Sequence, residues 1–136
     1  MFTYNLIEVY MDNEEITGKI IGAGYEVMRT LGCGFLEKVY DLSLCFELSS
    51  KGYTVKSQVK FPVYFKSNLV GHYIPDILVN DVVIVEIKAV KEITEIHKAQ
   101  LINYLKICKL NTGLILNFGN PKLEIKRIIN VPRTTR

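Results

Sequence analysis

The sequence predicts a mixed α/β domain, a sheet flanked by helices, and three observations carry that prediction. Apolar residues recur at helical spacing early in the chain, alternate with polar ones in the middle, then return to helical spacing before two short apolar runs. The resulting order is α-α-β-β-β-α-β-β. Three strands in a meander followed by a helix that crosses over to a further strand make a mixed sheet.

The first helix spans residues 13–31, where Ile16, Ile20, Ala23, Val27 and Leu31 form one stripe. Asp12-x-x-Glu15 resembles a capping box ahead of it, and Gly32 and Gly34 break it. In the second helix Phe35, Val39, Leu42 and Phe46 form the stripe, and Gly52 is the expected stop. Val55, Val59, Phe61, Val63 and Phe65 then alternate with Lys56, Gln58, Lys60, Tyr64 and Lys66, as in a half-buried strand. Pro62 cannot donate to a ladder, so it marks an edge or a bulge. Ser67-Asn68 turns into a strand at 69–79, and Asn80-Asp81 into another at 82–89. A third helix at 93–109 ends before Asn111-Thr112-Gly113, and short strands at 114–118 and 123–129 flank Gly119-Asn120-Pro121.

Composition sets bounds. At 136 residues, 49% hydrophobic and 23% charged, the chain is expected to form one globular domain, residues 1–136, with a sizeable core. No apolar run approaches the ~18 residues of a membrane span, so no membrane role is expected. The opening MFTYNLIEVYMDNEE lacks a basic n-region, which makes the cytoplasm the default location. Cys33, Cys45 and Cys108 are too few and scattered for a zinc cage or disulfide framework. His72 and His97 lack a nearby cysteine, and Ile21-Gly22-Ala-Gly24 lies in a helix without a third glycine, so zinc and dinucleotide loops are set aside. A net charge of +3 permits an anionic partner without demanding one.

The residues that carry chemistry are Pro75-Asp76 and Glu86-Ile87-Lys88. Side chains at i and i+2 of a strand share a face, so Glu86 and Lys88 project together while Val83, Val85 and Ile87 enter a core. Whether Asp76 joins them depends on register. A two-residue turn at Asn80-Asp81 sets Asp76 against Val85, whereas a three-residue loop through Val82 sets it against Glu86. We expect the odd loop or a bulge, because two carboxylates beside a lysine form a divalent-metal site suited to phosphodiester hydrolysis. Lys88 would position the attacking water or stabilise the charge developing on phosphorus. An ion-pair network across a hairpin would use the same residue types. In the third helix Ile93, His97, Gln100, Tyr104 and Ile107 share a stripe whose polar members suggest a polar cavity. Glu37 and Tyr40 share a face of the second helix, where Glu37 also complements the helix dipole. Lys51, Lys56, Lys60 and Lys66 read as a solvated strand face that could also track phosphates.

GFLEKVY at residues 34–40 resembles the name-giving motif of the GxxExxY proteins, a branch of the PD-(D/E)XK nuclease superfamily. The similarity continues through Pro75-Asp76, VEIKAV at 85–90, HKAQLINYL at 97–105 and GLILNFG at 113–119, covering about residues 16–129. Met28 and Cys33 depart from the family pattern, where His and Pro are common. The resemblance implies a restriction-endonuclease-like α-β-β-β-α-β core with an extra N-terminal helix and C-terminal strand. It implies Glu37, Asp76, Glu86 and the carbonyl of Ile87 as ligands of Mg²⁺ or Mn²⁺, and Lys88 as the catalytic lysine. Gln100 and Tyr104 look like the Gln/Tyr motif of RecB-type nucleases, lining the active site and contacting DNA. His97 and Tyr40 are further expected nucleic-acid contacts. The implied activity is metal-dependent cleavage of DNA, with a silent binding or regulatory module of the same fold as the alternative. No base-reading module is present, so selectivity would come from a homodimer, a protein partner, or an end, flap or single strand.

Overall fold

The computed structural model describes residues 6–131, with side chains described from residue 13. The elements are α1 (Leu6–Leu31), α2 (Glu37–Ser50), β1 (Val55–Lys56), β2 (Phe61–Phe65), β3 (Asn68–Tyr73), β4 (Ile77–Val79), β5 (Val83–Lys88), α3 (Glu95–Cys108), β6 (Thr112–Asn117) and β7 (Glu124–Ile129). A five-stranded sheet has the order β1-β4-β5-β6-β7, and β2 and β3 form a separate two-stranded hairpin. β5 and β6 run parallel through the α3 crossover, while the other neighbours are antiparallel. The expected mixed α/β, restriction-endonuclease-like class is present.

Alternation along β5 divides the core. Val83, Val85 and Ile87 pack with Ile77, Val79, Leu114 and Leu116 under α1 and α2. Ile84 packs with Leu78, Ile115, Leu101 and Leu105 under α3 and the β2–β3 hairpin. A strand covered on both faces needs a near-continuous apolar run, which the sequence VVIV supplies at 82–85. Each fully buried Val, Ile or Leu contributes about 1.5–3 kcal/mol by leaving water.

Four expectations change. α1 begins at Leu6, so Asp12 lies inside the helix instead of capping it. The buried stripe of α2 is Tyr40, Leu44 and Leu48, whereas Phe35, Leu42 and Phe46 are exposed and Val39 is half-buried. α2 is apolar on two faces, and the aromatic anchor decides between them: Tyr40 stacks on Phe118 with centroids 4.5 Å apart. The alternating run at 55–66 is two strands in two sheets, separated where Gln58 takes a positive φ of 64°. The run at 69–79 is also two strands, because it bends through Ile74-Pro75-Asp76 and Pro75 has no N–H for a ladder. The meander is therefore replaced by a hairpin that lies off the sheet. Pro62 sits in that hairpin, whose ladder is bulged between Val63 and Tyr64.

Candidate active site

The loop between β4 and β5 decides the site. Asn80 and Asp81 take positive φ values of 51° and 59°, and the Val82 amide donates to the Val79 carbonyl at 3.1 Å. Val82 is then the odd residue, and the register is Val79 with Val83, Leu78 with Ile84 and Ile77 with Val85. The ladder ends there, at the bend that holds Asp76, and its register has the three-residue parity that puts Asp76 on the side of Glu86 and not of Val85. Asp76 is tied to the strand it faces, because its Oδ2 accepts the Ile87 amide at 2.8 Å.

Glu86 is deeply set, and its carboxyl is pushed up to about 8. Burial is the main cause, followed by the charge of Asp76; a hydrogen bond from Tyr73 and the charge of Lys88 oppose it, and a hydrogen bond shared with Asp76 reinforces it. The Tyr73 hydroxyl donates to Glu86 Oε1, and the Tyr73 ring stacks on Tyr104 at 3.9 Å between centroids. Burial and then the charge of Glu86 hold Tyr73 far above the usual phenol range, so it remains a donor at every accessible pH. Cys108 is pushed up to about 12 by burial and by Glu86, which makes it a packing thiol.

Two depressions meet here. One, of about 190 Å³, is lined by Glu86, Lys88, His97, Gln100, Tyr104 and Tyr73. It brings five expected site residues together. The other, of about 350 Å³, is lined by Glu37, Lys38, Asp41, Gln58 and Asp76, and Ile74 borders both. Glu37 projects from the first turn of α2, and its Oε1 accepts the Ala89 amide at 3.3 Å. It thus reaches the backbone just beyond Lys88.

Some expected residues have other surroundings. Tyr40 is fully enclosed: its hydroxyl donates to the Gly32 carbonyl at 2.7 Å and accepts the Phe35 amide at 3.1 Å. In place of the expected nucleic-acid contact, it braces the turn that presents Glu37. The Ile87 side chain faces the α1/α2 core. His97 lines the smaller depression, yet its Nδ1 accepts the Thr94 amide at 3.0 Å in a capping box that starts α3.

Two residues escaped sequence reasoning. Asp41 lies one helical turn beyond Glu37, and burial, then Asp76, raises its carboxyl above the ordinary range. Its i+4 spacing from Glu37 was the available signal. Tyr73 had none, because the bend at 74–76 hides its relation to Glu86. Asn117 completes the frame. It is fully buried and makes four hydrogen bonds: Oδ1 accepts the Val90 and Gly119 amides, and Nδ2 donates to the Val90 carbonyl and to Glu124 Oε1. These clamp the segment leaving β5. Gly119 crosses that segment so closely that a Cβ would stand 2.1 Å from the Val90 carbonyl oxygen.

Among the described residues, no three His, Cys, Asp or Glu side chains are grouped as a metal cage. Paired Asp76 and Glu86 still suit a hard cation, since Mg²⁺ is commonly held by one or two carboxylates together with waters and phosphates. Burial first and the charge of Asp76 second raise the Glu86 carboxyl, and a cation held there would offset both. No described helix is long and apolar enough to cross a membrane.

A family model for the PD-(D/E)XK nuclease superfamily matches residues 14–128. Comparison with curated proteins and with solved structures gives no match.

Proposed function

Because the chain belongs to the PD-(D/E)XK nuclease superfamily, we propose that it is a divalent-metal-dependent nuclease that hydrolyses phosphodiester bonds in DNA, within the GxxExxY branch. The observation that carries this reading is the nearness of two carboxylates and a lysine: Asp76 accepts the Ile87 amide and acts on Glu86, and Lys88 shares a depression with Glu86. Asp76, Glu86 and the Ile87 carbonyl would hold Mg²⁺ or Mn²⁺, with Glu37 beside Asp76 from α2. When bound, the cation supplies positive charge to the scissile phosphate and acidifies the attacking water.

The chain's own groups do the rest. Lys88 brings its ammonium to the developing charge on the phosphate and orients the incoming water. Tyr73 holds the Glu86 carboxylate in one rotamer, and its ring supports Tyr104. Gln100, exposed on α3 at the mouth of the depression, presents an amide to the nucleic-acid strand. His97 lies one turn earlier on the same rim.

The direct test is cleavage of labelled single-stranded, duplex, flap and junction DNA, and of RNA, with Mn²⁺ or Mg²⁺. Glu86→Ala, purified identically, is the control. Metal-dependent cleavage that disappears in the variant is expected. Equal cleavage by both proteins, or none by either, would overturn the reading.

A further inference from the structure

The β2–β3 hairpin leaves the body of the protein at the candidate site and ends in an apolar, aromatic tip. Tyr64, Phe65 and Val70 are each 61% exposed and Leu69 is 55% exposed. The inner residues Phe61 and Val63 pack under α3, so the hairpin is anchored at its base and bare at its tip. Exposed rings on a fixed strand pair are costly in water unless something covers them.

Charge identifies the occupant. Between Glu47 and Asp76 the chain carries no carboxylate, yet it carries Lys51, Lys56, Lys60, Lys66 and His72. Lys51 pairs with Glu47 and Lys56 with Asp81. Among the described residues Lys60 and Lys66 form no ion pair. The Lys66 ammonium instead lies 5.4 Å from the centroid of the Phe65 ring. Two copies of this surface would bring like charges together, which disfavours self-association through it. Aromatic rings interleaved with unpaired lysines suit a polyanion whose bases are free to stack.

Continuity with the site supplies the direction. Tyr73, at the base of β3, donates to Glu86, and a strand rises about 3.3 Å per residue. The tip therefore stands on the order of 13–20 Å from the carboxylates. We propose that the hairpin tip is a stacking platform for an unpaired nucleic-acid strand, which rounds the tip past Phe65 on one face and Tyr64 on the other and runs toward Glu86 and Lys88. The proposal rests on the nuclease reading of the site and narrows its substrate to nucleic acid with a single-stranded portion. The lysines hold phosphates and the rings hold bases without choosing among them.

The test uses the full chain with Ca²⁺ in place of Mg²⁺ and follows fluorescence anisotropy of a labelled single-stranded oligonucleotide and of a blunt duplex of equal length. Tyr64→Ser with Phe65→Ser should weaken single-strand binding at least about tenfold and leave duplex binding nearly unchanged. Tyr64→Phe with Phe65→Tyr should restore it. Lys66→Ala should lower the slope of log affinity against log salt by about 0.7. Thermal unfolding of each variant verifies folding, and the Lys66→Ala salt slope keeps the test decisive if the serine pair unfolds. Undiminished single-strand affinity, or equal losses for strand and duplex, would overturn the proposal. So would a fall in molar mass by light scattering with single-strand affinity intact, which would mark the tip as a protein interface. The two readings fail separately. Wild-type protein that binds strand through the tip but never cleaves sinks the nuclease alone, whereas tip variants that bind and cleave like wild type sink the platform alone.

Discussion

The hydroxyl of Tyr73 donates to the carboxylate of Glu86, joining the base of the hairpin to the centre of the sheet. Two elements that belong to different sheets are thereby held at one polar point, with Tyr104 stacked behind it. The bond favours the ionised carboxylate, yet burial and Asp76 outweigh it, and Glu86 retains its proton up to about 8.

That balance gives stability an unusual pH dependence. In the unfolded chain Glu86 releases its proton near its ordinary 4.5, while the folded chain keeps it until about 8. The group's contribution is fully present below 4.5 and is lost as pH rises toward 8, at about 1.4 kcal/mol per unit across the window. Metal-free protein should therefore melt at a lower temperature at pH 8.5 than at pH 5.5, and Glu86→Gln should flatten the trend. Mn²⁺ should raise the melting temperature more at pH 8.5, where it has no proton to displace. A melting temperature independent of pH in both proteins would refute this.

Lys88→Met keeps the length of the side chain and removes its charge. Under the proposed mechanism single-turnover cleavage falls roughly 10²-fold, while the Mn²⁺ affinity measured by calorimetry stays within a few-fold of wild type. Parallel loss of both would reassign Lys88 to holding the carboxylates in place.

Asn117→Ala strips partners from the Val90 amide and carbonyl and from Glu124. Leaving such groups unsatisfied costs about 1–3 kcal/mol each, so urea unfolding should show a loss of at least about 2 kcal/mol. Hydrogen exchange at Val90 should quicken along with it.

The face of α2 is tested by a pair of substitutions. Leu44 is fully buried and Phe46 is 77% exposed. Leu44→Ala should cost about 2–5 kcal/mol and Phe46→Ser no more than about 0.5 kcal/mol in chemical denaturation. A reversal of the two would mean that the helix is rotated.

Much of this was legible in the residues because periodicity is a local property. The helical stripe of α1 at Ile20, Ala23 and Val27 is buried as expected, and β5 divides its faces as alternation requires. What local patterns miss is choice between equals. Phe46 and Leu48 are both apolar on α2, and only the contacts of that helix with α1, β1 and β5 decide which is covered. The strand at 69–79 looked continuous because Val70 and Ile74 satisfy a strand pattern, while Pro75 broke the ladder. At the site, Glu86 and Lys88 could be paired by spacing alone. Tyr73 reaches Glu86, and Asp41 comes beside Asp76, only through the packing of the hairpin and α2.

Surface loops ordinarily absorb insertions and deletions with little consequence, and a three-residue turn far from any chemistry would be a natural place for them. The turn at Asn80, Asp81 and Val82 is the opposite case. Removing one residue there advances β4 by one position against β5, sends Asp76 toward the apolar side under α1 and α2, and turns Ile77 into the polar cleft. The length of that turn thus decides which face of the sheet Asp76 takes, as directly as the identity of the residue decides that a carboxylate is there.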